Sequence, residues 1–83
     1  MKLEIKNEKK NEMEFVVEGE DHGFANLLTS ELLKNEDVDI AQYDIPHPLT
    51  GNPVFYLRTK KGAPRTVLKK TIKLIKKEIK DMQ

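Results

Sequence analysis

Leu3 and Ile5 alternate with Lys2, Glu4 and Lys6. After an all-polar stretch from Glu8 to Glu12, the alternation returns at Met13, Phe15 and Val17. A period of two marks a strand with one buried face. Two such runs joined by a polar turn predict a β-hairpin, ended here by Gly19. The period then changes. Phe24, Leu27, Leu28 and Leu32 recur at helical spacing and fall on one face. Asp21 precedes them, where its carboxylate can accept first-turn N–H groups, so a helix is expected over about residues 22–34. Strand-like runs follow at Val38 to Ile45 and Val54 to Thr59, joined by a loop from Pro46 to Pro53. In the first run the apolar phase slips from Val38 and Ile40 to Ala41, Tyr43 and Ile45. A bulge near Ile40 explains the slip, as does burial of both faces.

Gly62 and then Pro64, suited to a first helical position, open a last helix that runs to about Met82. Leu68, Ile72, Ile75, Ile79 and Met82 are spaced four, three, four and three apart, the a/d spacing used when helices pair. At the helical pitch these five lie within about 80° of arc. Val67 and Leu74 add a second apolar patch roughly 60–80° to one side. Lysines 69, 70, 73, 76, 77 and 80 take the opposite face. Two heptads are too few for a coiled coil, yet the apolar arc is wider than one docking contact needs. One part of it is expected on the chain's own sheet and another against a second chain. The order ββαββα predicts an α+β domain of two layers, a four-stranded sheet with two helices on one face.

Composition adjusts this picture. Eighty-three residues make one domain, residues 1–83, near the lower limit of what one core can stabilise. With no cysteine, neither disulfides nor thiolate metal ligands can staple it, and small domains often gain stability from a partner. No apolar run approaches the roughly 20 residues of a membrane span, and the first residues lack a signal-peptide core. The expectation is a soluble, cytoplasmic protein. Residues 1–42 hold 5 Lys against 11 acids, and residues 43–83 hold 10 basic residues against 3 acids. That asymmetry suits either a nucleic-acid face or a solvated basic helix. Arg65 at the start of the last helix is its one arginine, and the helix has no aromatic. Base contacts usually need one or the other.

Catalytic chemistry finds little footing. The chain has no phosphate-binding glycine loop, no HExxH and no nucleophile elbow. Its one serine, Ser30, falls mid-helix. His22 and His47 with Asp21 and Asp44 are metal-ligand types, but their spacing fixes no geometry. No cofactor is expected.

Two segments, Glu20-Asp21-His22 with Asn26-Leu27-Leu28 and Tyr43-Asp44-Ile45-Pro46-His47-Pro48-Leu49, resemble the family of archaeal RNA polymerase subunit L. This is the small subunit family related to the N-terminal domain of bacterial alpha, and the resemblance spans nearly the whole chain. It implies a non-catalytic assembly role in DNA-directed RNA polymerase. The chain would form a heterodimer with the larger alpha-like D subunit, on which the catalytic subunits assemble, and would meet DNA only through the complex. Carried onto this sequence, the implied dimer interface is Phe24, Leu27, Leu28 and Leu32 with Leu68, Ile72, Ile75 and Ile79. A free-standing nucleic-acid-binding protein using the lysine-rich helix is the alternative, and a homodimer through the same helices is a third possibility. The family's first-helix motif, Asp-His-Thr-Leu-Gly-Asn, reads here Asp21-His22-Gly23-Phe24-Ala25-Asn26. Gly23 lacks a hydroxyl that could cap the helix, which leaves that work to Asp21.

In Tyr43 to Leu49, Pro46 and Pro48 cannot donate to a sheet ladder and push Ile45 and His47 toward extended backbone. The strand is ended and its edge blunted. The loop is either a stiff connection or, with Tyr43, Pro46, His47, Pro48 and Leu49, a surface for a neighbouring polymerase subunit.

Overall fold

A computed structural model describes residues 2–46 and 51–82, with side chains described as far as Lys77 in the last helix. The elements are β1 (Lys2–Glu8), β2 (Glu12–Glu18), α1 (His22–Leu33), β3 (Val38–Asp44), β4 (Val54–Thr59) and α2 (Pro64–Met82). The four strands form one antiparallel sheet in the order β1-β2-β4-β3. Each hairpin thus contributes an edge strand and an inner strand, and β2 against β4 joins the two.

Alternation along each strand builds one buried face. Ile5, Phe15, Phe55 and Tyr43 lie in register across all four strands, and Met13, Leu57 and Ala41 form the next row. The rings of Phe15 and Phe55 stack with centroids 5.0 Å apart. The expected slip in β3 is present as a register shift between Val38 and Ile40. It lets Val38, Ala41 and Tyr43 all face the helices despite their mixed spacing. A second shift, between Ile5 and Asn7 of β1, has no sequence signal, because the residues around it are polar in either phase.

Both helices cover this face. α1 lies on β3, α2 crosses β2 and β4, and the helices touch each other. Ala25, Leu28 and Leu32 of α1 meet Val67, Leu68 and Ile75 of α2 in a core floored by Met13, Phe15, Val17, Val38, Phe55 and Leu57. Each large side chain here contributes about 1.5–3 kcal/mol by leaving water. β1 is covered less well, and its Leu3 and Ile5 remain part-exposed.

Polar groups at the core's edge are satisfied locally. Buried Thr59 donates its hydroxyl to the carbonyl of Gly62 at 2.7 Å, and its N–H to Asn11 O at 2.8 Å. It thereby joins the end of β4, the first turn and the entry to α2. Gly62 sits at φ +82°, a conformation a side chain would strain. Thr71 is buried within α2 and returns its hydroxyl to Val67 O at 2.8 Å.

Candidate dimerisation surface

The helical layer has an inner side sealed by the sheet and an outer side that is not. On α1 the inner arc is Ala25, Leu28 and Leu32, and the outer arc is Gly23, Asn26, Leu27, Ser30 and Leu33, all exposed. Leu33 is 54% exposed and Leu27 36%. The helix carries a single carboxylate, Glu31, already bridged at 2.8 Å by Lys34 at the helix end. A solvated helix face normally carries charges. This one presents two leucines among small and amide side chains.

The N-terminus of α1 is fastened at three points. Asp21 Oδ1 accepts the Phe24 N–H at 3.1 Å, as its position before the helix predicts. A Cβ on Gly23 would come within 3.2 Å of that cap oxygen, so glycine leaves the cap room. Tyr43 lays its ring near Phe55 and donates its hydroxyl to Asn26 Oδ1 at 3.1 Å. With its proton committed there, the same oxygen accepts from His22 Nδ1 at 3.0 Å. His22 and Tyr43 rings also meet edge-on at 5.7 Å. The residues of the two family-like segments therefore touch, Asp21-His22 and Asn26 from one and Tyr43 from the other. Neither period nor charge pattern signalled that contact.

On α2 the inner arc is Pro64, Val67, Leu68, Thr71 and Ile75. Lys69, Lys70, Lys73, Lys76 and Lys77 are exposed on the outside, and Leu74 stands among them at 55% exposure.

Four of the residues expected at the interface are therefore placed elsewhere. Leu28, Leu32, Leu68 and Ile75 are at most 3% exposed, and the chain's own sheet and helices cover them. On α2 the buried arc takes in Thr71. Its back-bonded hydroxyl lets it face the core, which turns the buried arc of α2 by about 40° from the heptad stripe toward Val67. Ile72 and Phe24 lie part-buried at the core's border. Leu27 keeps its expected exposure, while Leu33 and Leu74 supply apolar surface that the interface expectation omitted. The side chain of Ile79 lies outside the described residues, as do His47, Pro48 and Leu49 of the expected subunit-contact loop. Of that loop, Pro46 is exposed, and Tyr43 is bound within the chain as described.

The sheet's other face is open. A shallow depression of about 450 Å³ there is lined by Glu14, Gln42, Asp44, Val54 and Tyr56. The Tyr56 hydroxyl donates to Glu12, which lowers the carboxyl's pKa and raises the phenol's. The raised phenol pKa keeps the Tyr56 hydroxyl protonated, as a donor to Glu12.

Known proteins sharpen the reading. The RNA polymerase Rpb3/Rpb11 dimerisation domain matches residues 12–83. The chain belongs to this family. DNA-directed RNA polymerase subunit Rpo11 of Methanothermobacter thermautotrophicus is 45% identical over 67 residues, which are 81% of this chain and 76% of that protein. The subunit of the same name in Methanosarcina acetivorans is 40% identical over 75 residues, 90% of this chain and 82% of that one. The crystal structure of DNA-directed RNA polymerase subunit L from Thermoplasma acidophilum superposes with a TM-score of 0.84 at 31% identity, covering 98% of this chain and 80% of that one. The α+β fold of this family member is thus one already seen in a polymerase subunit, and its family domain is a dimerisation domain rather than a catalytic one.

Proposed function

We propose that this chain is a non-catalytic assembly subunit of DNA-directed RNA polymerase, the counterpart of archaeal subunit L, and a relative of the bacterial alpha N-terminal domain. It pairs through the outer side of its helical layer with a larger alpha-like partner, the D subunit of the archaeal enzyme. The pair forms the platform on which the catalytic subunits assemble, in the cytoplasm. Nucleotidyl transfer and its metal belong to the rest of the complex. The observation that carries this reading is the exposed, nearly chargeless face of α1 around Leu27 and Leu33, on a chain whose family domain is one for dimerisation. Two part-exposed leucines forgo on the order of 1–3 kcal/mol that covering them would supply. Family membership does not favour the free-standing nucleic-acid-binding alternative.

Sedimentation of the chain alone, and mixed with the alpha-like subunit from the same source, tests the proposal. A one-to-one complex stable at physiological salt is expected. Independent sedimentation of the two chains would refute it.

A further inference from the structure

The sheet face that the helices leave open has its side chains sorted. Strand phase turns Val16, Val54 and Tyr56 away from the core, and the register sets Val16 beside Val54. These three form a part-exposed apolar centre on β2 and β4. Carboxylates flank it on both sides. Asp44 of β3 lies beside Val54, and Glu14 of β2 lies beside Tyr56. Nearby cations are engaged elsewhere. Lys6 holds Glu4 at 3.1 Å, Lys9 reaches Glu12 at 3.5 Å, and Arg58 holds Asp39 at 2.6 Å. Lys2 stands opposite Glu18, at the start of β1. Among the described residues Glu14 has no ion pair, and Asp44 accepts only from the Ile45 N–H, at 2.9 Å. The depression of about 450 Å³ that they line has no lysine or arginine in its wall. Residues 45–53, which follow Asp44, include no lysine, arginine or carboxylate either.

An acidic rim repels phosphate, so this face suits neither nucleic acid nor an anionic lipid surface. A second copy could offer the lysines of its α2. That contact joins unlike surfaces and leaves the second copy's sheet face open, so copies would add one after another rather than stop at a pair. The alpha-like partner is assigned to the helical layer, on the far side of the sheet. A platform that carries a further subunit needs a second surface, and this one is free while the first is occupied. We infer that the open sheet face docks a polypeptide segment bearing lysine or arginine beside an apolar side chain, supplied by a catalytic subunit of the complex. The apolar side chain covers Val54 and Tyr56, and the cations reach Glu14 and Asp44. The inference rests on the assembly reading above and adds the chemistry that the next subunit must present. Opposite charges across such a contact speed the encounter and set its register.

The test compares two double variants of the full chain that have the same net charge. Glu14→Lys with Asp44→Lys reverses the rim. Glu36→Lys with Asp37→Lys makes the same reversal in the turn between α1 and β3. All four carboxylates are exposed, and circular dichroism checks that both variants are folded. Each variant is paired with the alpha-like subunit, and the affinity of the pair for the catalytic subunits is measured at low and at physiological salt. Both variants are expected to form the pair as the wild type does. The 14/44 pair is expected to lose at least about tenfold in affinity for the catalytic subunits, and the 36/37 pair less than about threefold, with the gap narrowing as salt screens the charges. A thiol at exposed Gln42, introduced as Gln42→Cys, should be labelled equally fast in the free chain and in the pair, and at least about tenfold more slowly in the full assembly. Equal losses in the two variants, no loss in either, or unaltered labelling at position 42 in the full assembly would overturn the inference while leaving the assembly reading intact. So would growing self-association of the wild-type chain that the 14/44 variant abolishes, because a second copy would then be the occupant. If the wild-type chain failed to bind the alpha-like subunit at all, the assembly reading would fall, and this inference with it.

Discussion

The two helices do the same job on the inside and opposite jobs on the outside. Each lays an apolar arc on one sheet, Ala25, Leu28 and Leu32 from α1 and Val67, Leu68 and Ile75 from α2. Outward, α2 shows five described lysines and one leucine, whereas α1 shows two leucines and a single, already paired, carboxylate. Amphipathic patterning sets which side of a helix faces the sheet. It does not say whether the other side faces water. The composition of that outer side does, and by this measure α1 lacks a solvent-adapted exterior and α2 has one interrupted at Leu74.

The sharpest break between inner and outer positions is a matched truncation. Ile75→Ala is expected to cost about 2–5 kcal/mol, because it opens a cavity in the core. Leu33→Ala should cost less than about 0.5 kcal/mol in the isolated chain. Urea unfolding of both variants checks this, and equal costs would erase the distinction. Binding should show the reverse order. Leu27→Asp with Leu33→Asp is expected to leave the melting temperature nearly unchanged while weakening the alpha-like complex by at least about 2 kcal/mol, roughly thirtyfold. Calorimetric titration reads that loss directly.

The helices also differ in how their first turns are held, and here the expected effects are smaller. Tyr43→Phe keeps the ring over Phe55 but removes the hydroxyl shared by His22 and Asn26. A loss of about 0.5 kcal/mol is expected, near the low end for a hydrogen bond at an exposed site. Amide exchange should speed up over the first turn of α1 and not in α2. At the start of α2, Arg65 grips Glu8 with two hydrogen bonds of 2.6 and 3.0 Å. The guanidinium holds that carboxyl below the usual carboxylate range. A lowered folded-state pKa means the pair's contribution is complete above the ordinary glutamate value of about 4.3 and is lost as pH falls through the lowered one. Glu8→Gln should therefore remove a small contribution at neutral pH and flatten the acid side of the stability profile, so that variant and wild type converge as pH falls through the lowered value. Because the pair is exposed, the effect should be the smallest of the four, and salt should reduce it further.

Much of this architecture was legible in the residues. The bounds of β4 and α2, the cap at Asp21 and the bulge at Ile40 all follow from local rules, because periodicity, capping and phase slips are written within a few residues. The position of β4 between β2 and β3 was not legible, since pairing of β2 with β4 joins residues more than 35 apart with no local signature. The buried arc of α2 was misjudged for a chemical reason. Thr71 reads as polar and is a core residue once it bonds to Val67 O. With it inside, the buried arc runs through Val67, Leu68, Thr71 and Ile75, while Ile72 is only part-buried and Leu74 stays outside. Leu33 was passed over because it sits away from the stripe of Leu28 and Leu32, and that displacement is what makes it outward-facing.

The outer face of α1 can be probed without disturbing it, because the chain has no cysteine and its one serine, Ser30, lies between Leu27 and Leu33 on that face. Ser30→Cys therefore introduces a unique thiol at the proposed centre of contact, and Glu14→Cys a control on the open face of the sheet. Thiol labelling should be fast at both positions in the isolated chain. On adding the alpha-like subunit, it should slow at least about tenfold at position 30, where a packed interface excludes water, and stay unchanged at position 14. Unaltered labelling at position 30 within a formed complex would contradict the claim that this face is where the partner sits.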